Sequence, residues 1–150
     1  MEETALADAY PPGDEPLAIV GNETGTPRGP GPEVMAAGTL QGDAVVNADG
    51  EDLGKIKEIM IDVPSGQVAY AVLSSGGFLG LGDRLYAIPW TALALDVGRK
   101  CFVLDVDAER LKNAPGFDKD HWPSMADSTW AKEVHAYYGR RAYWQPADRL

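Results

Sequence analysis

Cysteine occurs once in the 150 residues, at Cys101. An intramolecular disulfide framework and any multi-cysteine metal site are thereby excluded. Histidine occurs twice, at His121 and His135, and no serine stands in a nucleophile-elbow pattern, so little is left for nucleophilic or imidazole catalysis. Bases are scarce: 13 Lys and Arg face 23 Asp and Glu, for a net charge of −10. A surface built to hold nucleic-acid phosphates needs clustered bases, so this balance argues against that role. Arg140 and Arg141, beside Tyr143 and Trp144, form one small basic-aromatic cluster, and two arginines near a helix C-terminus are already favoured there by the helix dipole. No apolar run approaches the roughly 18 residues that a bilayer span requires. The first residues are acidic and broken by prolines, unlike a signal or transit peptide. The cytoplasm is the expected compartment.

Aromatics and bases are also unevenly spread. Residues 1–37 hold Pro11, Pro12, Pro16, Pro27, Pro30 and Pro32, no Phe or Trp, and seven acids against Arg28 alone. Such a segment buries too little apolar surface to offset its ordering entropy, and it reads as a disordered acidic leader. Within it, Pro16-Leu17-Ala18-Ile19-Val20 is the one stretch able to dock as an added strand, on the body or on a partner.

From Thr39 onward, short β segments alternate with turn signals. Val45 and Val46 lead into Asn47-Ala48-Asp49-Gly50, where Asp49-Gly50 is a hairpin turn signal. In the strand over 55–63 the apolar phase slips between Ile56 and the set Ile59, Ile61 and Val63, which predicts a bulge. Asp62 and Gly66 close the next turn around Pro64. The strand over 67–74 is apolar on both faces, so it is central or covered. Strands are also expected over 84–89, 91–96 and 101–105, giving about six short strands with close turns, the pattern of a small antiparallel barrel or sandwich. Helical signals come last. Asp107 caps a short helix through Leu111, and Ser124 or Asp127 caps a longer one. On that helix Trp130, Val134, Tyr137 and Tyr138 share a face that needs the barrel as its cover.

The candidate chemistry is sparse. Gly77, Gly80 and Gly82 reverse the spacing of a dinucleotide fingerprint, but the loop enters a strand rather than a helix N-terminus, so the phosphate reading gives way to a hairpin loop. Its Gly76, Gly77, Phe78, Leu79 and Leu81 then form a candidate contact for a partner or a second copy. Asp118, Asp120 and His121 offer a divalent cation at most three ligands, with Lys119 between them; the alternative is that the acids cap the turn while Trp122 anchors it. Cys101 lies on a strand apolar on both faces and reads as a small hydrophobe, and His135 reads as a boundary residue beside the helix stripe.

Several of these segments together resemble the PRC-barrel domain. They are Leu40-Gln41-Gly42-Asp43-Ala44-Val45-Val46; Asp49-Gly50-Glu51-Asp52-Leu53-Gly54-Lys55-Ile56; the run from Ile61-Asp62 through Gly66-Gln67-Val68 to Val72-Leu73; and Ala87-Ile88-Pro89-Trp90. The resemblance covers residues 38–110. Ala114-Pro115-Gly116-Phe117, His121-Trp122-Pro123 and Tyr137-Tyr138-Gly139 are similar to the tails of stand-alone bacterial members. The resemblance implies a barrel that serves binding and assembly, with no shared catalytic residue and no cofactor. The resulting expectation is mainly β: a leader over 1–37, an antiparallel PRC-type barrel over 38–110, and a helical extension over 111–150 packed on it. The function expected is a non-catalytic protein-interaction module, homodimeric, with an unidentified protein partner, no nucleic acid and no membrane span. The alternative is a small-ligand or metal-binding stress-related protein using Asp118 and His121.

Overall fold

The computed structural model describes residues 16–21, 31, 33–75 and 84–144. Among the described residues seven strands form one mixed sheet. They are β1 (Ala18–Val20), β2 (Ala44–Val46), β3 (Asp52–Asp62), β4 (Gln67–Ser74), β5 (Leu85–Pro89), β6 (Leu93–Asp96) and β7 (Cys101–Leu104). Their order across the sheet is β1-β6-β7-β2-β3-β4-β5. Helix α1 (Ala37–Leu40) precedes β2, and α2 (Ala108–Lys112) and α3 (Ser128–Tyr137) follow the last strand.

The local turns fold as the sequence predicts. Asn47 Oδ1 accepts from the N–H groups of Asp49 and Glu51, and Gly50 takes φ +85°, so the Asp49-Gly50 hairpin joins β2 to β3. Asp62 Oδ1 accepts from Ser65 N–H and Gly66 takes φ +78°, joining β3 to β4. The phase slip in β3 is a bulge: Ile56 pairs with Leu73 and Glu58 with Val72, which leaves Lys57 as the extra residue. Asp107 caps α2 through Arg110 N–H, and Asp127, not Ser124, caps α3 through Thr129 N–H.

The expected antiparallel barrel is corrected in two respects. The sheet is mixed, because β2 pairs β7 in parallel and β1 pairs β6 in parallel. It is also not closed by a ladder, since β1 and β5 end the order. Turn signals specify only hairpin partners, which are antiparallel; β2 and β7 are joined by burial of apolar side chains rather than by a turn. The sheet nevertheless rolls up. Only the 3-10 turn Trp90–Ala92 links β5, at one end, to β6, next to the other end. The four peptide links from Pro89 to Leu93 reach at most about 14 Å, so the end of β5 lies close to the start of β6. The concave face is one core, with Val45, Leu53, Ile56, Leu73, Ile88, Leu95 and Phe102 in contact within it. Trp90 closes this core edge-on against Phe102, with ring centroids 5.8 Å apart.

The convex face of β4 and β5 carries a second core, Tyr70, Val72, Leu85 and Ala87, under Phe117, Ala131 and Val134. Strand β4 is therefore apolar on both faces because both are covered, as its composition indicated. Phe117 and Leu85 exchange two backbone hydrogen bonds of 2.8 Å, which cap the outer edge of β5.

Part of the expected leader is ordered. Residues 18–20 form β1, so they take the added-strand alternative rather than disorder. The pairing sets Ile19 beside Leu95 and packs Leu17 on the inner core, and both line a depression of about 400 Å³ with Trp90. Deleting residues 1–21 is expected to cost on the order of 2 kcal/mol, from the partial burial of two large apolar side chains. Thermal unfolding of the truncated and full chains checks this; an unchanged Tm would detach β1 from the core.

Candidate functional site

The bulges decide where a groove opens on the convex face. Met60 pairs with Tyr70 and Ile61 with Val68, so Ala69 is an extra residue in β4. The bulge puts Ala69 and Tyr70 on the same side, under α3. Ala69, Ala126 and Ala131 are too small to fill the space between strand and helix, and a groove of about 550 Å³ remains. One lip is Met60, Ile61, Asp62, Val63 and Pro64; the other is Met125, Ser128, Tyr143 and Trp144. Ile61 and Val63 share one apolar phase with Ile59 in the sequence. Only Ile59 packs on the inner core; Ile61 is 50 % and Val63 83 % exposed, because the hairpin runs on past the second bulge.

An aromatic cluster backs the second lip. Tyr70 lies edge-on to Trp130 at 5.4 Å and to Tyr143 at 6.2 Å. Trp144 lies edge-on to Tyr143 at 5.1 Å. His135 sits among them, 5.4 Å from Tyr70 and 5.7 Å from Trp144. It was expected at the boundary and is instead 2 % exposed, because the chain after Gly139 folds back and lays Tyr143 and Trp144 over it. Its Nδ1 lies 2.7 Å from the carbonyl of Ala131, which accepts the ring N–H. Burial drives the His135 pKa below its ordinary value, so the ring is neutral in the fold. An unfolded chain binds that proton at a higher pH, so this contribution to stability is complete above about pH 6.5 and is lost as pH falls below it. Urea unfolding between about pH 7 and pH 5 is expected to show a loss of at most about 1.4 kcal/mol per pH unit from this residue. The slope should flatten in His135→Gln; an unaltered slope would assign the acid sensitivity elsewhere.

Among the described residues the groove has one charged side chain, Asp62. Its Oδ1 is held by Ser65 N–H at 3.1 Å and its Oδ2 by the Tyr143 hydroxyl at 2.7 Å. The Tyr143 hydrogen bond, joined by those from Ser65, holds the carboxyl below its ordinary pKa. The same contact ties the two lips together. The Tyr70 hydroxyl is buried behind the groove without a hydrogen-bond partner among the described residues, and burial pushes its pKa up.

The other candidate residues fall as follows. Asp49 and Gly50, and Asp62 and Gly66, sit in their two turns. Val134 is buried on the convex core, Trp130 packs partly buried on it, and Tyr138 bridges both cores. Tyr137 faces α2: its hydroxyl donates to the carbonyl of Arg110 at 2.6 Å, the Arg110 guanidinium lies over its ring, and Arg110 Nη2 donates to the Tyr137 carbonyl. Arg140 Nε donates to Thr91 Oγ1, so this arginine ties the extension to the barrel. His121 and Asp118 face each other at 3.4 Å with exposed side chains. Among the described residues no group of three His, Cys, Asp or Glu could hold a metal ion. Trp122 meets Phe117 at a tilt, with ring centroids 5.0 Å apart, and anchors that segment. Cys101 is buried, and burial raises its thiol pKa. Gly76, Gly77, Phe78, Leu79 and Leu81 lie outside the described residues.

The sequence reading missed Asn47, which is buried and organises the β2–β3 turn, also donating to Glu51 Oε1 at 2.6 Å. It missed the groove too. The signal available was the exposed-looking Tyr143-Trp144 pair, but nothing in its spacing says that it returns to the β3–β4 hairpin 81 residues earlier.

Among the described residues no helix is long and apolar enough to cross a membrane. The family model described as PRC-barrel domain matches residues 32–111. No curated protein matches the chain. The matched span contains the β3–β4 lip of the groove and stops before α3.

Proposed function

Because this chain belongs to the PRC-barrel family, we propose that it serves as a non-catalytic protein-interaction module in the cytoplasm, docking a protein partner and associating with a second copy of itself. The groove carries this reading. Ile61, Val63 and Trp144 are exposed large hydrophobics gathered around one opening. Contiguous exposed apolar surface on a small domain marks an interaction site, whereas scattered single residues would not. Tyr, Trp and Met at its rim match the composition of interface centres.

Self-association draws support from the sheet edges. Phe117 caps β5, while among the described residues β1 pairs only with β6 and leaves its outer edge open. An open edge needs cover, and two copies meeting about a two-fold axis supply it. The segment bearing Phe78, Leu79 and Leu81 is the second contact proposed for the dimer. Light scattering coupled to size exclusion, over a range of concentrations, is expected to give twice the chain mass. A strict monomer at the highest concentration would remove self-association from the proposal. Phe78→Asp is expected to dissociate the dimer; a dimer that tolerates the charge places the contact elsewhere.

A further inference from the structure

We infer that the groove between the β3–β4 turn and the C-terminal extension receives a basic amphipathic segment of another protein, with apolar side chains seated in the groove and an arginine or lysine paired with Asp62. The inference rests on the interaction-module reading and supplies the chemistry of its partner. The volume, about 550 Å³, falls within the roughly 300–1,000 Å³ of sites that bury a compact ligand. Met60 and Met125 on opposite lips are unbranched and repack around side chains of varied shape.

Charge selects among possible occupants. Among the described residues Asp62 is the only charged residue lining the groove, and no Lys or Arg lines it. Its two oxygens are held by neutral donors, the Ser65 N–H and the Tyr143 hydroxyl, so among the described residues the carboxylate is oriented but not neutralised. The adjacent Tyr143 and Trp144 rings give a guanidinium or ammonium group π faces beside that carboxylate. The chain as a whole carries −10. The long-range field opposes a second copy, itself at −10, and an anionic lipid surface, whereas a cationic segment is attracted both in that field and at the contact. Nearly half of the groove comes from residues 125–144, beyond the family match at 32–111, so the aromatic lip that faces Asp62 lies outside the matched barrel.

The test uses the full chain and a short fluorescein-labelled model helix of leucines and arginines, with a twin carrying glutamates in place of the arginines. At physiological salt the arginine peptide is expected to bind at least about tenfold more tightly than its twin, a difference of about 1.4 kcal/mol. Binding should change the tryptophan emission, and Trp144→Phe should remove that change. Asp62→Asn retains an oxygen for the Ser65 N–H, and should weaken the arginine peptide severalfold while flattening its salt dependence. Val63→Ser, at a side chain 83 % exposed, leaves the fold intact and should weaken binding as well. Equal affinity for both peptides overturns the inference. So does binding that neither Asp62→Asn nor Val63→Ser alters, since that would be attraction to the acidic chain at large. A dimer by light scattering that Val63→Ser dissociates, with no peptide bound, overturns it too and gives the groove to a second copy. A silent peptide titration beside a dimer insensitive to Val63→Ser sinks only the basic partner and leaves the interaction module standing.

Discussion

Gly54→Ala is expected to destabilise the protein by at least about 4 kcal/mol, the range reserved for severe single substitutions. Gly54 stands on β3 opposite Val45, next to the extra residue Leu53, with φ +135°. An L side chain rarely takes that conformation. A Cβ built there would lie 2.2 Å from the carbonyl oxygen of Ser74 on β4, and 3.1 Å from Leu73 Cδ1. A flexible side chain could move aside, but a backbone carbonyl within a ladder cannot. Strand β3 pairs with both β2 and β4 through this region, so relief at Gly54 would disturb two ladders. For a protein whose total stability is typically about 5–15 kcal/mol, the loss is a large share of the whole. Thermal unfolding should show Tm lowered by on the order of 10 °C or more. Gly42→Ala is a useful comparison: it has φ +91° but nothing within 4 Å of the added Cβ. It carries the conformational penalty without the clash. Equal losses in the two variants would mean that the approach to Ser74 is not what the glycine serves.

Phe102→Ala should cost about 3–5 kcal/mol, the range for truncating a buried large aromatic. Phe102 is fully buried on β7, pairs with Leu95 on one side and Val45 on the other, and meets Trp90 edge-on. It holds β2, β6 and the 3-10 turn to one core, so its removal loosens the junction where the sheet rolls up. Denaturant unfolding measures the loss, with Val63→Ala as a surface control expected to stay within about 0.5 kcal/mol. A cost for Phe102→Ala as small as the control's would place the stability of the roll in the second, convex core instead.

The sequence determined the local pieces of this protein. Asp49-Gly50 and Asp62 to Gly66 specify their hairpins because a turn is encoded by residues next to one another, and glycine at positive φ is part of the code. The slip after Ile56 specified the Lys57 bulge, since alternation along a strand has period two and a single extra residue breaks it. Double-sided apolarity in β4 specified a strand covered on both faces, and the run of turns and strands carried the family.

Only the tertiary structure decided the rest. The parallel partners of β2 and β1 have no turn to announce them; they are found because burying Val45, Phe102 and Leu17 together removes more apolar surface than leaving each segment apart. The short run at residues 18–20 has too little local signal to be distinguished from a leader until β6 offers an edge. His135 looked like a boundary residue because helical spacing describes only its own helix, whereas its burial comes from Tyr143 and Trp144, which the chain brings back from beyond Gly139. The groove is likewise a product of assembly. Asp62 belongs to a turn and Tyr143 to a tail, and each has an ordinary local reading. Their 2.7 Å hydrogen bond across 81 residues exists only because α3 covers β4 and small alanines leave the space between them unfilled.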